Sequence, residues 1–110
     1  MVHSKTYHNI TTEDILSLSN EGKLVLVGIV RALKRKRSPY ASLNEIRSMI
    51  GVVCEEFEFK PIKDIEENIQ DLIDRNIVDL KSLIQIGISG VTLENLDDYL
   101  NNLLEKIRRI

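Results

Sequence analysis

The sequence predicts an α-rich α+β domain with helices first, a short β-hairpin in the C-terminal third and a closing helix. Three observations predict it. Apolar residues recur at helical spacing over three segments between Asn20 and Asn76. The period shifts to alternation between Ile77 and Leu93, where Ile84, Ile86 and Ile88 are separated by Gln85 and Gly87. A last helical stripe follows, made of Leu93, Leu96, Leu100, Leu103–Leu104 and Ile107.

Residues 1–9 (MVHSKTYHN) have no period and are expected to fray, leaving residues 10–110 as one domain. Thr11-Thr12-Glu13-Asp14 sets a hydroxyl before acids, as a helix start does, and a short helical turn over Ile15–Leu18 is expected after it. The first long helix is predicted from about Asn20, its expected cap, to Arg37, with Leu24, Val27, Ile29–Val30 and Leu33 as a broad apolar face. Gly28 inside it costs about 1 kcal/mol against Ala, so close packing is expected there. Lys34-Arg35-Lys36-Arg37 complements the dipole at the helix end, and Ser38-Pro39 stops it.

Ser42-Leu43-Asn44-Glu45 is a capping box for a second helix, about Leu43 to Phe57, that Gly51 could end early or kink. Pro61 suits the first turn of a third helix, which carries Ile62, Ile65, Ile69 and Leu72–Ile73 on one face. Asn76 suits a left-handed end, and Ile77-Val78 is expected to leave as strand. Ser89-Gly90 is the expected hairpin turn, with Leu80–Leu83 as the alternative. Thr92 or the Asn95 region is expected to cap the last helix.

Composition narrows the function. A chain of 110 residues with 43% hydrophobic residues can bury one core, and with no Trp that core must be aliphatic. A net charge of −2 predicts no strong global attraction to phosphate. A single cysteine rules out an internal disulfide and suits a reducing compartment. The longest apolar run, Leu24–Val30, is too short to span a bilayer, and no signal peptide is visible, so an intracellular protein without membrane contact is expected.

Three helices, a β-hairpin and a closing helix is the order of a winged helix-turn-helix. Particular strings point further. Glu21-Gly22-Lys23-Leu24-Val25-Leu26 followed by Ile29-Val30-Arg31-Ala32-Leu33-Lys34-Arg35-Lys36 resembles the opening helix of the C-terminal domain of the archaeal and eukaryotic origin-recognition/cell-division-cycle initiators. Val53-Cys54-Glu55-Glu56-Phe57 with Lys60-Pro61-Ile62 is similar to the end of that family's second helix and its connector. Leu72-Ile73-Asp74-Arg75-Asn76-Ile77-Val78 sits where the family has a helix end, a glycine cap and the first wing strand. Ile10–Ile15 resembles a remnant of the helix before the domain. The resemblance covers roughly Leu16 to Ile107 and contains no catalytic signature.

The resemblance implies a replication-initiator module that meets double-stranded origin DNA with its third helix and wing. It implies a compartment to match: cytoplasm and nucleoid in a prokaryote, the nucleus in a eukaryote. The family's ATPase motif GxxxxGK[ST] is absent from this chain, so ATP binding is not carried over and no cofactor is expected. Two departures stand out. The stretch matching the arginine- and glycine-bearing wing has one cation, Lys81. The third helix is expected to turn Lys63, Asp64, Glu66, Glu67, Gln70, Asp71 and Asp74 outward, and five of these seven are acids. Carboxylates repel phosphate, so groove insertion by this helix is disfavoured.

The expected DNA contacts are therefore Arg31, Lys34, Arg35, Lys36 and Arg37 on phosphates, with Lys60, Lys63, Lys81 and Gln85 nearer the groove. The alternative is a protein-contact or dimerising module that does not bind DNA through its acidic third helix. Ile84, Ile86 and Ile88 are its expected sticky edge, and a replication-initiator protein, another protein or a second copy its partner. No enzyme is expected. Cys54 falls on an apolar stripe and reads as a structural thiol. Glu55-Glu56, Glu66-Glu67 and Asp97-Asp98 are adjacent rather than facing, and read as solvated faces. His3 and His8 have no metal-spaced partners, so no metal is expected.

Overall fold

The computed structural model describes residues 11–82, 85–88 and 93–108. In chain order the elements are α1 (Thr12–Leu16), α2 (Asn20–Lys36), β1 (Ala41–Ser42), α3 (Leu43–Glu56), α4 (Ile65–Asp74), β2 (Asp79–Ser82), β3 (Gln85–Gly87) and α5 (Leu93–Arg108). The architecture is α-rich with a small antiparallel sheet of order β1-β3-β2, compatible with an α+β winged helix.

α2 is the axle. Leu24, Val25, Leu26, Val27, Ile29 and Val30 are all essentially inaccessible, so this middle stretch of the helix is buried on every side rather than along the one broad face expected. It packs against α3, α4 and α5. Gly28 is where α3 comes closest: a Cβ there would fall on Ile50 Cγ1 and lie 3.3 Å from the Ile50 backbone. Ile46, Ile50 and Val53 of α3, Ile69 and Leu72 of α4, and Leu96, Leu100 and Leu104 of α5 complete the core around it.

The helix ends follow local chemistry, with some shifts from expectation. Thr11 caps α1 in a box with Asp14, so the helix starts at Thr12 and includes the acids that were expected to precede it. Ser19, not Asn20, caps α2: its hydroxyl accepts from the Gly22 N–H at 3.0 Å while Asn20 is already helical. The Ser42–Glu45 capping box forms as its sequence predicts. α3 runs straight through Gly51, which is exposed with open space around it. α4 begins at Ile65, not at Pro61; Ile62 is buried as an anchor of the connector rather than as the first residue of the stripe.

α4 closes with two paired bonds: Asn76 N–H donates to Ile73 O and Ile77 N–H to Leu72 O, both at 2.9 Å, with Asn76 left-handed at φ 62°. The same pattern ends α3, where Glu58 (φ 60°) donates to Glu55 O and Phe59 to Cys54 O. Ile77 and Val78 are buried in the turn, and strand begins only at Asp79.

β3 pairs with β1 (Ala41↔Ile86) and β2 (Leu80↔Ile86), and the β2 ladder is irregular between Leu80 and Ser82. β1 was not foreseen. β2 and β3 flank residues 83–84, so the hairpin is not centred on Ser89-Gly90 as first expected. Ser89, Gly90 and Thr92 lie outside the described residues, as do residues 1–9. α5 starts at Leu93, which places Asn95 inside the helix rather than at its cap.

Candidate nucleic-acid interface

The basic run at the end of α2 divides into inward and outward members. Arg31 is half-buried. Its Nη1 lies 2.6 Å from Glu56 Oε1 of α3, its Nη2 2.6 Å from Asn101 Oδ1 and its Nε 3.6 Å from Asp97 Oδ1 of α5. Its guanidinium carbon sits 5.6 Å from the centroid of the Phe57 ring. Burial pulls the Arg31 pKa down, but the hydrogen bond and charge of Glu56, helped by Asp97, outweigh it and the pKa is raised. Lys34 Nζ takes the other oxygen of Asp97 at 3.0 Å. Arg31 and Lys34 thus clasp α3 and α5 onto α2, which places these two predicted phosphate ligands in an internal ion cluster.

Lys36 is intermediate: its Nζ lies 3.0 Å from Glu45 Oε1, the same oxygen that caps α3. Arg35 and Arg37 are exposed and form no ion pair among the described residues. Lys60 and Lys63 are likewise exposed, in the connector before α4. Lys81 and Gln85 contribute backbone to β2 and β3.

Asp97 is the functional-looking residue that sequence reasoning missed. The sequence presents it as a solvated acid, yet it is 8% exposed and its Oδ1 makes no hydrogen bond. Its partners are on α2, far away in sequence, so no local spacing announces it. The only available signal was its place beside the Leu96–Leu100 stripe. Lys23 is also buried, its Nζ donating to Leu18 O at 2.7 Å, and desolvation lowers its pKa.

The outer face of α4 is arranged as its period predicts. Glu66, Glu67, Gln70, Asp71 and Asp74 are all exposed on the helix, as are Lys63 in the connector and Asp64 at the cap. Glu66 pairs with Arg47 and Asp71 with Arg75, each at 2.9 Å on the open surface. A trough beside the helix is lined by Glu21, Asp64, Glu67, Asn68, Gln70, Asp71 and Asp74.

Two of the three expected sticky isoleucines are turned to the core. Ile86 is 3% exposed and Ile88 packs against the core, while Ile84 lies outside the described residues. Leu80 on β2 is the apolar side chain that the sheet leaves open, at 47%. Cys54 is buried, and burial, with the charge of Glu21, pushes its thiol pKa up. Among the described residues no three His, Cys, Asp or Glu side chains gather as metal ligands, and no helix is long and apolar enough to cross a membrane.

No protein-family model matches the chain, and no curated protein matches it. Among solved structures it is similar to Cdc6p from Pyrobaculum aerophilum, with a TM-score of 0.85 and 26% identity. The likeness covers 90% of this chain and 27% of that one. The chain thus has a Cdc6-like fold and spans about a quarter of the length of the protein it matches.

Proposed function

We propose that the chain is a winged-helix module related to replication initiators, associated with duplex DNA through phosphate contacts. The likeness to Cdc6p over 90% of the chain is the observation that carries this reading. The tri-helical core of α2, α3 and α4, with β1 between α2 and α3 and the paired strands β2 and β3 after α4, supports the winged-helix assignment. The module acts by binding rather than by catalysis, and works where the cell keeps its DNA.

The phosphate contacts fall to Arg35 and Arg37, joined by Lys60 and Lys63, with Lys81 and Gln85 on the strands nearer the groove. Lys36 joins when a phosphate replaces Glu45. Arg31 and Lys34 drop out because Glu56 and Asp97 already hold them. α4 does not enter the groove, since its exposed acids would face phosphates.

Duplex titration across salt tests this. Binding through roughly four phosphates gives a log K against log salt slope of roughly −3.5. Arg35→Ala and Arg37→Ala each lower the slope by about one, uniformly across sequences. No binding to any duplex at low salt would sink the DNA reading. A second reading, a protein-contact module, is favoured by one observation: every acid on the outer face of α4 is open to solvent. That face suits a basic protein partner better than a phosphate backbone.

A further inference from the structure

A shallow groove runs between the start of α3, one side of α4 and the edge of the sheet. Leu43, Ile69, Ile73, Leu80 and Ile86 line it, with Glu66 and Gln70 on its rim. Its volume of about 220 Å³ is below the roughly 300 Å³ of a small-molecule site, so it suits side chains of a partner and not a free ligand. β2 is an edge strand of the sheet, and Leu80 stands half-exposed on it. Gln70 lines both this groove and the acidic trough, so the two run along either side of one ridge of α4. At about 100° per residue, Glu67, Asp71 and Asp74 lie roughly a quarter-turn round from Glu66, Gln70 and Ile73.

We infer that this composite surface docks a basic amphipathic helix of a partner protein. Apolar side chains of that helix fill the groove between Leu43, Ile73 and Leu80, while its lysines or arginines lie over Glu67, Asp71 and Asp74. The inference rests on the protein-contact reading of α4 and is independent of DNA binding at the end of α2. Charge complementarity selects the occupant. A duplex brings phosphates to a row of carboxylates and little to fill an apolar groove. A second copy meeting this face with the same face would set acids against acids. A helix with one apolar and one cationic side satisfies both halves of the surface.

The probe is a synthetic amphipathic helix of roughly four turns, leucine on one face and lysine on the other. Two control peptides replace its leucines with serine or its lysines with glutamate. The leucine–lysine helix is expected to bind and to shift backbone NMR signals of Leu43, Gln70, Ile73 and Leu80. Leu80→Ser, at a half-exposed site that should not disturb folding, is expected to weaken binding roughly tenfold. The Glu67→Gln/Asp71→Asn pair, on the open surface, is expected to weaken it to a similar degree, and added salt to weaken it further. Duplex affinity of Leu80→Ser stays that of the parent. Equal binding by the serine control, with shifts at the acids but not at Leu43, Ile73 or Leu80, overturns the groove and leaves α4 a plain acidic contact face. Absence of any shift on α4 overturns both the docking proposal and the protein-contact reading. Duplex-induced shifts on Leu80 and Ile73 overturn the proposal in favour of DNA.

Discussion

The end of α2 and the outer face of α4 are both dense in charge, and the fold treats them in opposite ways. Of the cations at Arg31, Lys34, Arg35, Lys36 and Arg37, two are drawn into ion pairs with Glu56 and Asp97, and a third is shared with Glu45. Every charged residue on the outer side of α4 stays exposed. The difference comes from where each helix sits. α2 is central, so α3 and α5 flank it to its end and their carboxylates reach its cations. α4 is peripheral, and its stripe of Ile65, Ile69, Leu72 and Ile73 occupies the inner side completely. Position in the layers, more than the number of charges, decides which charges a partner meets.

Breaking the internal half has the largest expected effect. Arg31→Ala removes a partner from Glu56 and Asp97 and strips the Phe57 ring of its cover. Arg31 and Asp97 are 18% and 12% exposed, but Glu56 is 50% exposed and Asp97 keeps Lys34, so solvent screening holds the expected loss to about 1–2 kcal/mol. Chemical denaturation measures it. If Arg31 served phosphate instead, the variant would keep its stability and lose duplex affinity, and the contrast between the two regions would collapse.

The external half is broken from the other direction. Glu67→Gln/Asp71→Asn/Asp74→Asn removes carboxylates that face solvent, so folding stability should barely move. Duplex affinity at low salt is expected to rise about tenfold if α4 lies near the DNA path, with the gain fading as salt is added. Fluorescence anisotropy over a salt series reads this. An unchanged affinity would mean that α4 points away from the duplex altogether, which sharpens its separation from the cationic end.

Arg37 belongs to both accounts, because it ends α2 in the left-handed region at φ 55° and also points a free cation outward. Glycine tolerates that backbone without a Cβ penalty. Arg37→Gly is therefore expected to stabilise the fold by about 0.5–1 kcal/mol while weakening duplex binding. Asn76→Gly at the end of α4 makes the same backbone change with no change in charge. It should raise stability less, since Asn already tolerates this region, and should leave binding alone. Thermal unfolding and anisotropy on the two variants separate the contributions.

Much of this arrangement was legible in the residues. The isoleucines of α4 gave its outward face correctly because helical period is a local property. The Ser42–Glu45 box was legible for the same reason, its partners being three residues apart. What escaped was everything set by distance in sequence. Asp97 reads as one acid of an exposed pair until α5 folds back on α2. The two-residue strand β1 has no period of its own and exists only because Ile86 pairs with Ala41. The ends of α2 and α3 were blurred for another reason. Arg37 and Glu58 hold left-handed positions that a reader assigns to Gly or Asn. Leu80 was hidden by the more conspicuous isoleucines after it, of which Ile86 faces the core.

Lys36 stands between the two classes and gives the smallest expected effect. Its partner Glu45 has a lowered pKa, first because the Ser42 N–H donates to it and then because Lys36 does. A carboxylate whose folded pKa lies below its unfolded value of about 4.5 stabilises the fold above that pH. That contribution fades as pH falls through the lower folded value. Glu45→Gln should therefore flatten the acid limb of the stability curve slightly and leave the neutral region nearly unchanged, because the site is fully exposed and solvent screens it. The same variant frees Lys36 and removes a nearby negative charge, so duplex binding should tighten a few-fold at low salt. A flattened acid limb without tighter binding would assign Lys36 to the inner set with Arg31 and Lys34. The phosphate contact would then rest on Arg35 and Arg37 at that end of the molecule.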